Sequence, residues 1–186
     1  MKVDIMRFAI TAAAVAFLAT MTQARAQDTE WQLGPVFTDF GPHAAVEGID
    51  NLPADIEFSH SFDVANHGEG EQRNRGIESA ARFINMHAAH GADPENMRIA
   101  VVVHGTAVLD LLTDEARSAG DYGATNPSGD MVRAMLAQGV RFIVCGQSAA
   151  GQGIGQSDLI PGVEMALSAM TAHALLQQAG YSVNPF

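Results

Sequence analysis

The segment Met97-Arg98-Ile99-Ala100-Val101-Val102-Val103 is apolar at both alternating positions along nearly its whole length. A strand of that kind has no face to give to water, so it must be covered on both sides, as strands of parallel sheets are. It ends at His104-Gly105. A second run, Val140-Arg141-Phe142-Ile143-Val144-Cys145, is stopped by Gly146-Gln147-Ser148 and reads the same way. Weaker strand signals lie at residues 57–65, with Phe58, Phe62 and Val64, at about 163–168, and at 181–183. Between them the apolar period lengthens to three and four residues: Ile77, Ala80, Ala81, Ile84 and Ala88 before Gly91; Val108, Leu109, Leu111 and Leu112 behind a Thr106 cap; Val132, Met135 and Leu136 before Gly139; and a helix over 171–179 closed by Gly180. Strands that alternate with helices are joined by crossovers and therefore run parallel. The expected fold is α/β, a three-layer sandwich around a mainly parallel sheet. In such sheets ligands gather beyond the carboxyl ends of the strands, which puts His104 and Cys145 on the edge where chemistry is expected.

The chain opens with Lys2 and Arg7, an apolar stretch from Phe8 to about Met21, and Ala24-Arg25-Ala26. This is a secretory layout: the stretch is shorter than the roughly 20 residues that cross a bilayer, and the small-x-small triplet supplies a cleavage site after Ala26. The expectation is a signal peptide over 1–26, a periplasmic or secreted mature protein with no membrane insertion after cleavage, a Gly/Pro-rich acidic arm over 27–55 anchored by Trp31, Val36, Phe37 and Phe40, and one α/β domain over 56–186. Of the ten basic and 21 acidic side chains, residues 1–26 hold three and one, so the remainder carries seven arginines, no lysine and a net charge of −13. So acidic a surface repels phosphate backbones and anionic lipid, which argues against nucleic acid as a partner. Without lysine there is neither Schiff-base chemistry nor a P-loop.

Cys145 is the one cysteine of the chain, so it forms no intrachain disulfide. It is either a nucleophile or a small apolar plug at a strand end. Gly146 lets the backbone turn after it, and the amides of Gln147, Ser148 and Ala149 can point back at a thiolate. His104 can act as a base or be a histidine held by its surroundings. His87 and His90 share a helix face without the flanking pattern of a zinc site, and His60 and His67, near Glu69 and Glu71, form only a weak loop-site candidate. The expectation is no metal and no organic cofactor. Gly151-Gln152-Gly153-Ile154-Gly155 fails the dinucleotide-binding spacing and reads as a mobile loop over the Cys145 edge.

The ordered set Val102-Val103-His104-Gly105 with Ala107, Tyr122-Gly123, Asn126-Pro127, Gly139-Val140, Val144-Cys145-Gly146-Gln147, Pro161-Gly162-Val163, Ser168-Ala169 and Gly180-Tyr181 resembles the secreted branch of the DsrE/DsrF-like family. The resemblance implies a flavodoxin-like subunit that assembles into a homo-oligomer. It also implies a sulfurtransferase-like sulfur carrier whose acceptor cysteine holds a persulfide and meets a sulfur-donor or acceptor protein. Cys145, followed by Ser148-Ala149-Ala150 and Gly153-Ile154, occupies the acceptor position. Gly105, Tyr122, Asn126, Gly146, Gln147 and Ser148 are the expected lining of the cleft, with His104 supporting the thiolate. The alternative is a non-enzymatic, oligomeric module that binds a small ligand or a protein at the same edge.

Overall fold

The computed structural model describes residues 30–184, so the signal-peptide expectation lies outside the described residues. The chain runs through β1 (Trp31–Gln32), β2 (His43–Ala44), β3 (Phe58–Val64), α1 (Arg75–Ala89), β4 (Met97–Val103), α2 (Asp114–Ala119), α3 (Gly129–Ala137), β5 (Arg141–Cys145), α4 (Gly146–Gly151), β6 (Glu164–Ala166), α5 (Ala169–Gln178) and β7 (Ser182–Asn184). The strands β3 to β7 form one sheet in the order β6-β5-β4-β3-β7, and every pair in it is parallel. The α/β expectation holds, and the most apolar strand, β4, takes the central position.

The two faces of the sheet differ. Phe62, Val64, Ile99, Val101, Val103, Phe142 and Val144 point into the larger core, where they meet Ile77, Ala80, Ala81 and Ile84 of α1 and Met131, Val132 and Met135 of α3. Alternation sends Ala100, Val102 and Ile143 to the other face, where Ala172 and Leu176 of α5 complete a much smaller cluster. The helix starts are capped as their sequences allow. Asn74 Oδ1 accepts from the amides of Gly76 and Ile77 at 2.9 and 3.3 Å, Thr113 Oγ1 from Ala116 at 3.1 Å, and Ser168 Oγ from Thr171 at 3.1 Å.

Three sequence expectations are corrected. The segment after His104 is a 3-10 helix, Gly105–Leu111. Thr106 does not cap it, because its hydroxyl accepts from the His67 amide at 3.1 Å. Residues 113–128, which carry no apolar period, contain α2, whose signals are the Thr113 cap and the Asp114-Glu115 pair in its first turn. The chain after Cys145 enters α4 at once rather than a loop. The segment beyond α4 is pinned as well: Ile154, Leu159 and Ile160 are buried, and the Ile160 amide donates to Leu111 O at 2.9 Å.

The N-terminal arm is docked on α1 mainly through Asn85, with Glu78 Oε1 also accepting from the Gly41 amide at 3.1 Å. Asn85, fully buried, accepts from the amides of Val36 and Phe37 at 3.2 and 2.8 Å and donates to the carbonyls of Phe37, Phe40 and Gly41 at 2.9 to 3.1 Å. Phe37 and Phe40 stack beside it at 4.8 Å and join the larger core. A primary amide is suited to this task because it both accepts and donates. Asn85→Ala strips partners from several buried backbone groups and should cost about 2–4 kcal/mol. The arm should then be cleaved by added protease within residues 30–56 while the sheet persists. A variant that melts like the wild type and keeps its arm protected would contradict this account of docking.

Candidate functional site: the thiol cleft at the carboxyl edge

Since Val102 and Ile143 face α5, alternation also turns Asp63, which pairs with Val102, and Cys145, two residues beyond Ile143, toward that helix. His104 follows β4 directly, with its amide donating to Val64 O at 2.9 Å. These three side chains meet α5 in a cleft of about 280 Å³ lined by Asp63, His104, Cys145, Gln147, Ser168, Ala169, Met170 and His173. The structure thus brings together Cys145, His104 and Gln147 from the sequence-derived set. It adds Asp63, Ser168 and His173.

Cys145 is 5% exposed. Burial pushes its thiol up, but the Ser148 hydroxyl and the amides of Ser148, Ala169 and Gln147 all hydrogen-bond the sulfur, and together they hold it below the ordinary thiol value. Two helix starts supply these donors, α4 directly behind the cysteine and α5 across the cleft. Ser148 Oγ also accepts from the Gly105 amide at 3.0 Å, so one hydroxyl ties the end of β4 to the thiol of β5. Gln152 Nε2 completes the clamp by donating to Gly105 O at 2.9 Å and Ser148 O at 3.0 Å. Gly105 sits at φ 56°, with the place of an added Cβ 2.7 Å from Ala65 O. Gly146 is required for a different reason, as a Cβ there would stand 2.7 Å from Ala166 O and push β6 off β5. Gly105, Gly146 and Ser148 therefore build the cleft from behind rather than line it.

Across from the sulfur, Asp63 Oδ1 accepts from Nε2 of both His104, at 3.1 Å, and His173, at 2.7 Å. Burial opposes ionisation of this carboxyl, yet the hydrogen bonds from His173 and His104, and their charge, hold it below the usual carboxylate range. His173 Nδ1 is buried with no hydrogen-bond partner.

Asn126 and Tyr122 are corrected, for neither lines this cleft. Asn126 is buried and saturated: its Nδ2 donates to the carbonyls of Asp110 and Leu112 at 2.9 and 2.7 Å, and its Oδ1 accepts from the Ser128 amide at 2.9 Å. It shapes the turn between α2 and α3. Tyr122 lies partly exposed after α2, where its carbonyl accepts from Arg117 Nη2 at 2.6 Å. The remaining histidines are structural. His87 and His90 each donate from Nδ1 to a carbonyl one turn back, Phe83 O at 2.7 Å and Met86 O at 2.9 Å. His60 stacks on Phe83 at 5.2 Å, and burial, then the neighbouring His87, lowers its pKa. His67 turns to Asp110, 3.1 Å away, instead of joining His60. Among the described residues no group of three or more His, Cys, Asp or Glu side chains is arranged to hold a metal ion.

A signal for Asp63 was present in the sequence. It is the one charged residue of β3, on the side shared with Ser59 and Ser61 and opposite Phe58, Phe62 and Val64. For His173 the signal was fainter, a position beside the buried Ala172 on α5.

Comparison with known proteins agrees with this architecture. No curated protein matches the chain. Among solved structures, the protein of unknown function MTH1491 from Methanobacterium thermoautotrophicum is similar, at 21% identity over 70% of this chain and 100% of that one with a TM-score of 0.50. At that identity the likeness is one of fold. The DsrE/DsrF-like family matches residues 59–185, from the second residue of β3 through the end of β7, and the chain belongs to that family.

Proposed function

We propose that this protein is an exported sulfur carrier in which Cys145 takes up sulfur as a persulfide and passes it to a partner thiol. The observation that carries the proposal is the set of hydrogen bonds that lowers the Cys145 thiol in a cleft shared with two imidazoles. Family membership supports a role in sulfur relay. The chemistry needs no oxidant. A Cys145 thiolate attacks the outer sulfur of a donor persulfide, one S–S bond forms as another breaks, and the electron pair leaves on the donor's inner sulfur. Delivery is the same exchange run onto an acceptor thiolate. The donors that stabilise the resting thiolate are equally placed to stabilise it as the leaving group of the second step. Exposed Leu167, Met170 and Leu175 lie on or just before α5, beside the cleft, and favour a protein over a free small thiol as the natural partner. Export and assembly into a homo-oligomer are part of the same proposal.

Incubation of the native protein with a small-molecule persulfide should add one sulfur atom to Cys145 by mass spectrometry, and Cys145→Ser should gain none. Native protein that stays unmodified, while the unfolded chain is modified, would remove the sulfur-carrier reading in favour of the non-enzymatic module.

The lowered thiol also fixes a sign for pH dependence. A thiolate fraction that rises at lower pH than for a free cysteine places the midpoint of the pH–rate profile for alkylation by iodoacetamide below pH 9.0, the ordinary value for the group. Ser148→Ala removes a donor to the sulfur, moves that profile upward and slows alkylation at pH 7 by about three- to tenfold, the equivalent of one ordinary hydrogen bond. An unchanged profile in this variant would show that Ser148 does not tune the thiol.

A further inference from the structure

The carboxylate in the cleft is shared in a way the thiol alone does not require. Asp63 Oδ1 accepts from His104 Nε2 and His173 Nε2 together, and both rings line the same cleft as the Cys145 sulfur. A neutral imidazole that donates from Nε2 keeps its basic lone pair on Nδ1, so the shared acceptor fixes the tautomer of both rings at once. In each case the free basic atom is then Nδ1. On His173 that atom is buried without a partner. A single carboxylate can neutralise one imidazolium, whichever ring carries the charge. The arrangement therefore holds one extra proton without uncompensated charge. Asp63, His104, Cys145 and His173, supplied by β3, the end of β4, β5 and α5, are the titratable groups among the residues lining the cleft. Gln147, Ser168, Ala169 and Met170 are neutral.

We propose that Asp63 is a positioning residue that makes the His104–His173 pair the proton store of Cys145. The role rests on the sulfur-carrier reading for its chemistry. In uptake, the Cys145 S–H proton passes to an imidazole Nδ1, directly or through one water, and Asp63 balances the imidazolium. The thiolate then attacks the outer sulfur of the donor R–S–SH. The S–S bond to R–S breaks with its electron pair, and the stored proton goes to the departing R–S⁻. The sum is Cys145–SH plus R–S–SH giving Cys145–S–SH plus R–SH, with no net oxidation.

Single-turnover sulfur uptake from cysteine persulfide and alkylation by iodoacetamide, each followed between about pH 5 and 9, test this with Asp63→Asn, Asp63→Ala and the double variant His104→Gln/His173→Gln. Asp63→Asn should slow uptake at pH 7 by about 10- to 100-fold, up to the low end of general acid–base effects, since the imidazoles themselves remain. The double variant should lose the imidazole-dependent part of the pH profile that the wild type shows in both reactions. In Asp63→Ala, added formate should restore part of the rate, which a merely structural carboxylate would not permit. The inference is overturned if Asp63→Asn retains both wild-type profiles, or if the double variant, folded by circular dichroism, does so. If the wild type takes up no sulfur, the sulfur-carrier reading fails separately, and the alkylation profiles alone still decide whether the pair serves the thiol.

Discussion

Five strands running in one direction bring five carboxyl ends to one edge, and the residues that leave those ends cannot avoid one another. Asp63 is the next-to-last residue of β3, His104 follows β4 and Cys145 closes β5, and these three strands are neighbours in the sheet. Their side chains share a face because the register pairs Asp63 with Val102 and leaves His104 and Cys145 in phase with it. An antiparallel arrangement of the same strands would scatter these groups to opposite edges. The direction of the strands is in turn imposed by the apolar character of β4 and β5, which demands helices on both sides and hence crossovers.

The two faces of the sheet then divide the work. The face under α1 and α3 holds most of the apolar core, closed by large side chains such as Phe142, Met131 and Met135. The face under α5 has only Ala100, Val102, Ile143, Ala172 and Leu176 as its buried cluster, and toward the start of the strands it turns polar, with Arg98 bonded to Ser59 and Arg141 forked onto Glu164 at 2.8 and 2.7 Å. Stability is concentrated on one side, which leaves the other free to carry ionisable groups against a single helix.

What the sequence revealed and what it hid follow from the range of each signal. The central strands, the helix of α1 and the candidacy of Cys145 rest on local periodicity and on a glycine that stops a strand, so they are legible in a window of ten or so residues. The immediate start of α4 was missed because Gly146 and Ser148 have poor helix propensity; here position behind a buried strand overrides it. Asn126 was misplaced for a related reason. A polar residue in a turn looks available, but in the fold its amide is consumed by the carbonyls of Asp110 and Leu112. Asp63 and His173 stand 110 positions apart, and no local pattern joins them. Only the packing of α5 over β4 and β5 makes them partners.

The close approach that Gly146 permits between β5 and β6 carries a further consequence. β6 is a three-residue strand at the edge of the sheet, and the amide of Ala169 that bonds the sulfur comes only three residues after it. Edge strands of this length fray more readily than the centre of a sheet. Because that amide is tethered to the edge strand, any displacement of β6 would withdraw one donor from the sulfur, which ties the acidity of the thiol to the order of the sheet's border.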